Sequence, residues 1–171
     1  MIIKLIGIAT VFISSSAMGF AFGERFAARE KELRNLADGV ELMLGELTYT
    51  LLPVAEIIGR VCPNVKGVCA EMFTAMTHHI NNNLSPPEAW KKALLQNASA
   101  MCLTDADKNM LLSGAFLLSA YEVTEQQNHF AELKSRINRL VLQAEQSKTK
   151  NTGVVRMLGV YGGALACVLM F

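Results

Sequence analysis

Cys62, Cys69, His78 and His79 form the one cluster in this sequence whose side chains suit metal or redox chemistry. Structural zinc sites recruit close pairs, typically cysteines about two to four residues apart. Here six residues separate the cysteines and the histidines are adjacent. Buried thiols and a polar helix end are therefore the favoured reading, with a thiol or metal sensor built on these four residues as the alternative. Nucleophilic catalysis by Ser113 or a cysteine would need a base and an orienting group close by. The remaining candidate base, His129, lies in Gln126-Gln127-Asn128-His129, which reads as a solvated or partner-facing helical face. Glu41 with Glu46, and Asp105 with Asp107, are carboxylate pairs of a kind common on exposed helices. These residues define no enzyme, and no cofactor, metal or small-molecule substrate is expected. Glu46, Tyr49 and Pro53 have two readings: Tyr49 packs at a helix end that Pro53 terminates, or the group forms a partner surface near the kink.

The elements that position these residues are helical throughout. Leu33, Leu36, Val40, Met43, Leu47 and Leu51 step by three and four, and Pro53 ends or kinks that helix and starts a short second one through Ile57 and Ile58. Pro63-Asn64 and Gly67 break the chain before a stripe of Val68, Met72, Phe73, Met76 and Ile80, which Asn81-Asn82-Asn83 closes. Ser85-Pro86-Pro87-Glu88 predicts a helix start with a capping box between Ser85 and Glu88, leading through Trp90 and Leu94. Asp105 and Asp107 suit the first turn of the next helix, whose apolar face carries Leu111, Leu112, Ala115 and Leu118. Phe130, Leu133, Ile137, Leu140, Val141 and Ala144 define the last stripe; the polar run 145–151 either continues it or links it onward. No strand-like alternation or internal repeat is apparent. The class is all-α, a bundle of about five or six helices.

Both ends are apolar. Met157–Phe171 carries no charge, and at about 22 Å of helix it falls short of a roughly 30 Å hydrocarbon layer. Counting from Gly153 gives nineteen residues, with Arg156 able to snorkel. This stretch is read as a membrane span, the alternative being a core helix. Leu5–Phe22 is an uncharged run of eighteen residues. It is a long run for a signal peptide, and Ser15, Gly19 and Gly23 recur every fourth residue, as small residues do where helices approach closely in lipid. Gly159 and Gly163 repeat that spacing. The expected organisation is a transmembrane helix over 1–23, a cytoplasmic helical domain over 24–152, and a second transmembrane helix over 153–171.

All fifteen acids and fourteen of the sixteen Lys and Arg lie in 24–152, so that part is close to neutral and offers no electrostatic case for nucleic acid. A basic collar of Arg25, Arg29, Lys148, Lys150 and Arg156 flanks the spans and assigns the domain to the cytoplasm by the positive-inside rule, or engages anionic lipid. The four cysteines read as reduced thiols, since a domain of this size needs no disulfide.

Lys4 to Gly7 with Gly19-Phe20, Glu46-Leu47-Thr48-Tyr49 to Leu52-Pro53, Ala89-Trp90, Leu103-Thr104, Gln126 to His129, and Arg156-Met157-Leu158-Gly159 to Gly162-Gly163 occur in an order that resembles the stage III sporulation protein AB family over nearly the full length. The chain departs from the family pattern at Leu44, where a second acid is common, and at Leu118-Ser119 and Ala120-Tyr121. The resemblance implies a multi-pass protein of the mother-cell membrane facing the forespore, within a secretion-like complex required for endospore formation. It also implies a soluble domain similar to the F-type platform domains of type II secretion. The implied partners are a sporulation assembly ATPase and other membrane or ring components. The candidate contact residues are Glu46, Tyr49, Gln126, Gln127 and His129.

Overall fold

A computed structural model describes residues 2–50, 52–119 and 123–170. Within the long terminal helices the side chains of residues 2–6, 8, 9, 123, 124, 156, 163 and 165–170 are outside the described set. Among the described residues there are six α-helices and no strand: α1 (Ile2–Thr50), α2 (Val54–Val61), α3 (Val68–Asn81), α4 (Pro86–Asn97), α5 (Asp105–Ser113) and α6 (Val123–Met170). Short 3-10 turns occupy Cys62–Asn64 and Gly114–Leu118. The polar run 145–151 continues α6 rather than linking it to a separate helix.

The chain divides into two compact units, one of Met1–Glu30 with Gln143–Phe171, the other of Lys31–Leu142. In the second unit Leu33, Leu36, Val40, Met43 and Leu47 of α1 are fully buried, as are Phe130 and Ile137 of α6, with Leu133 and Leu140 nearly so; Ala144, in the first unit, is 1% exposed. Spacing by three and four gathers these side chains onto one face of each helix, and their burial drives the fold. Leu51, expected on the same stripe, is outside the described residues. Trp90 is buried and its indole N–H donates to the Leu111 carbonyl at 3.0 Å, which satisfies the one polar atom of the largest core side chain.

Proline and glycine set the breaks. The Pro53 carbonyl accepts from the backbone N–H of Glu56 and Ile57 and so starts α2. Gly67 turns the chain at φ 72°, a left-handed conformation that glycine adopts without strain. The N-terminus of α3 has no cap from its own sequence; the carboxylate of Glu32, buried on α1, accepts from the Cys69 N–H at 2.9 Å instead. A Cβ at Gly67 would stand 2.5 Å from both Glu32 Oε1 and Asn35 Nδ2.

Two local expectations are corrected. Ser85 takes the N-cap position of α4, but its hydroxyl makes no capping hydrogen bond, so the expected capping box with Glu88 is not formed. Pro86 and Pro87 lack N–H groups, which leaves little there for a cap to satisfy. The capping box forms at α5: Asp107 N–H donates to Thr104 Oγ1 at 3.2 Å, and Thr104 N–H donates to the Asp107 carboxylate at 2.8 Å. The helix expected to run through Ala115 and Leu118 stops at Ser113 and tightens into the 3-10 turn, which still buries both residues.

Candidate functional site

In the first unit, the helices meet at Gly19 and Gly159 through backbone. Ser15 Oγ donates to the Gly159 carbonyl at 2.8 Å. A Cβ at Gly19 would lie 3.0 Å from Gly159 Cα and 3.1 Å from the Val155 carbonyl; one at Gly159 would lie 2.9 Å from Gly19 Cα. Side chains at either position would push the helices apart. Gly23 is buried, and Gly163 is outside the described residues. The same unit turns large apolar side chains outward: Phe12, Ile13, Met18, Phe20 and Phe22 from α1, and Met157, Leu158 and Tyr161 from α6 are exposed. Among the described residues, no helix is long and apolar enough to cross a membrane. Leu5, Ile6, Ile8 and Ala9 of the first expected span, and Arg156, Gly163 and 165–171 of the second, fall outside the residues whose side chains are described.

The basic collar does not stand uniformly in solvent. Arg25 and Lys150 are exposed, Arg29 is buried, and Lys148 lies 3.3 Å from the Glu30 carboxylate. The side chain of Arg156 is outside the described residues.

The candidate contact residues belong to the second unit. There Glu41 of α1 pairs with Lys134 of α6 at 2.7 Å. The two helices are antiparallel, as Ser15 with Gly159 and Glu30 with Lys148 also fix. Glu46 and His129 each lie five residues beyond the Glu41–Lys134 pair, about 7.5 Å along the helices, and so share a level. Tyr49 is 88% exposed, Glu46 and Gln127 are half-buried, and Gln126 is buried. His129 has Nε2 4.0 Å from Glu125 and a buried Nδ1 without a hydrogen-bond partner.

Phe116 is the functional candidate that sequence reasoning missed. It is 53% exposed, meets the His129 ring edge-on at 6.2 Å, and has the Arg136 guanidinium 5.9 Å from its centroid. Glu132 holds that guanidinium at 2.6 and 3.0 Å. The available signal was a large aromatic lying off the stripe of Leu111, Ala115 and Leu118. Together these residues offer two exposed aromatic rings, a histidine and several carboxylates, a surface suited to binding a protein.

The cysteine and histidine cluster does not come together as a metal centre. Among the described residues, no three potential ligands of the His, Cys, Asp and Glu types gather closely enough to hold an ion. Cys62 Sγ lies 3.5 Å from Thr74 Oγ1, His79 faces Gln96 at 3.2 Å, and His78 faces Asn82. Burial, then the charges of Glu32 and Asp38, push the Cys69 thiol well above its ordinary value. A thiol at a helix N-terminus is normally acidified, but here Glu32 occupies that positive end.

These features define an all-helical protein whose first and last helices pair through small residues and whose central unit carries the candidate contact residues. The profile of the Stage III sporulation protein AB family matches residues 4–171, and the chain belongs to that family. Stage III sporulation protein AB of Bacillus subtilis (strain 168) is 20% identical over 169 residues, spanning 98% of this chain and 99% of that protein. A solved structure of Stage III sporulation protein AB matches with a TM-score of 0.64 at 17% identity, covering 72% of this chain and 98% of that one. That likeness is one of fold.

Proposed function

We propose that this sporulation protein is a non-enzymatic platform held in the mother-cell membrane by its two terminal helices, with its helical unit in the cytoplasm. It serves the channel between mother cell and forespore, and it takes up an assembly ATPase and other membrane or ring components at the surface around Tyr49, Glu46, Gln127, His129 and Phe116. The observation that carries the reading is the inverted packing of the first unit: glycine backbone against glycine backbone inside, phenylalanine, methionine and leucine outside. Water drives apolar side chains inward, whereas lipid leaves small residues to mediate helix contact. Exposed Arg25 and Lys150 support a cytoplasmic central unit by the positive-inside rule. A bundle anchored in this way transmits ATPase-driven motion to membrane-embedded partners.

The test has two arms. Carbonate washing should leave the full chain in the membrane fraction, and a membrane-impermeant thiol reagent should leave Cys62 and Cys102 unlabelled in intact cells. Release by carbonate sinks the anchoring, and labelling sinks the cytoplasmic assignment. Pull-down of the assembly ATPase by the detergent-solubilised full chain should weaken with Tyr49→Ala and with Glu46→Ala, and no binding by the unaltered chain removes the ATPase contact. The alternative of a thiol sensor is disfavoured by the raised, buried Cys69 thiol, since the thiolate is the reactive form.

A further inference from the structure

Gly45 lies within α1, where glycine is among the least favourable helix formers. Among the described residues nothing accounts for it, because a Cβ built there meets no atom within 4 Å. Its neighbours on the same face are large and unburied: Leu42 is 42% exposed, and Tyr49, one turn on, is 88% exposed. A bare stretch of helix backbone between two projecting apolar side chains is a notch that fits a side chain from another helix. The carboxylates of Asp38 and Glu46 stand on the same stripe, and neither has an ion-pair partner among the described residues, whereas the adjacent Glu41 is held by Lys134.

The complement of this notch is on the surface of the same unit. On α4, Leu95 is 58% exposed, and Lys91 and Lys92 are exposed beside it without ion pairs among the described residues. The two lysines edge an open cleft of about 310 Å³ that Leu84 and Glu88 also line. We infer that α4 of a second copy of this chain docks across α1, with Leu95 seated on Gly45 between Leu42 and Tyr49 and with Lys91 and Lys92 reaching Asp38 and Glu46.

Charge alone does not carry the contact. Lys66 shares a small cleft with Asp38, and Glu88 lies beside Lys92, so each face keeps only a modest net charge. The apolar insertion supplies the fit, and the charges set which faces meet. Since the two faces differ, the contact is head-to-tail, and it propagates to a ring or a row. One helix crossing buries less than the roughly 800 Å² per partner of a stable interface, so the contact relies on confinement in a shared membrane to raise the effective concentration. That last step rests on the anchoring proposed above.

The test places a photoreactive benzoylphenylalanine at Leu95 in the full chain, in membranes. The expected product is a cross-linked dimer whose adduct maps to α1 between residues 38 and 49. Gly45→Leu fills the notch and should lower the dimer yield on the order of tenfold while raising the unfolding temperature, because leucine is the better helix former. Asp38→Lys with Glu46→Lys should lower the yield, and adding Lys91→Glu with Lys92→Glu should restore it. An adduct elsewhere on the second copy, adducts only to other polypeptides, or a yield indifferent to Gly45→Leu would each overturn the inference. Dilution into detergent separates it from the anchoring: the yield should collapse there, while an equal yield in both settings supports the contact and counts against confinement.

Discussion

The two units of this chain solve helix packing in opposite ways. In Lys31–Leu142 the contacts are made by large side chains such as Trp90, Phe73, Phe130 and the leucines of α1, all fully buried. In the unit formed by Met1–Glu30 and Gln143–Phe171, the contact is Gly19 on Gly159 with a Ser15 hydrogen bond, and the phenylalanines and methionines face outward. In water the first arrangement is driven by apolar burial; in lipid, side chains gain nothing by leaving the solvent, and close backbone contact is what remains. The difference lies along α1 itself, a single unbroken helix, and the membrane anchoring proposed above would account for it.

The comparison breaks first at the core of the second unit. Trp90→Ala removes the largest buried side chain and the hydrogen bond to Leu111, and should cost about 3–5 kcal/mol in denaturant unfolding followed by circular dichroism. A loss below about 1 kcal/mol would show that side-chain burial does not hold this unit together. Gly67→Ala forces a Cβ onto Glu32 and Asn35 at a left-handed turn, with an expected cost of about 2 kcal/mol by the same measurement.

The first unit should respond to bulk rather than to truncation. Gly19→Ile or Gly159→Ile should abolish the helix pair, read as a broadened distance distribution between spin labels at the exposed positions Ala17 and Val160, with unfolding of the second unit shifted by less than about 0.5 kcal/mol. An equal loss in both units would end the distinction between them. Ser15→Ala should weaken the pair by about 0.6 kcal/mol.

The remaining effect appears only at alkaline pH. Because the Cys69 thiol is raised in the folded chain, the unfolded chain releases its proton first. Its contribution is intact below the ordinary value of 9.0 and is lost as pH rises above it, by up to about 1.4 kcal/mol per pH unit. Unfolding midpoints of the native protein and Cys69→Ala should converge between pH 9 and pH 10; parallel curves would show that the thiol titrates normally.

Much of the fold was legible. The described stripe residues of α1 and α6, from Leu33 to Ala144, are buried as expected, because a period of three to four residues leaves a helix few ways to bury them; on α3, Met72, Phe73 and Met76 are buried while Val68 and Ile80 at its ends are half-buried. The small residues of both ends were legible for the same reason. The capping of α4 was misread because the prolines remove the N1 and N2 donors and the Ser85 hydroxyl leaves the remaining Glu88 N–H uncapped, and the end of α5 was misread because a 3-10 turn keeps the same residues buried. The partner surface was only half legible. Gln126 reads as polar and solvated or partner-facing but is buried, and Phe116, which no motif singled out, is exposed.

The sequence by itself determined the all-helical class, the position of the breaks at Pro53 and Gly67, the apolar stripes and the small-residue spacing, since each depends on neighbours within a few residues. Only the tertiary structure decided which helix end Glu32 caps, that Gly19 meets Gly159, that Arg29 is buried, and that Phe116, His129 and Arg136 stand together. The pairs among them join residues from 13 (Phe116 and His129) to 140 (Gly19 and Gly159) positions apart, and local periodicity carries no information about pairs at that distance.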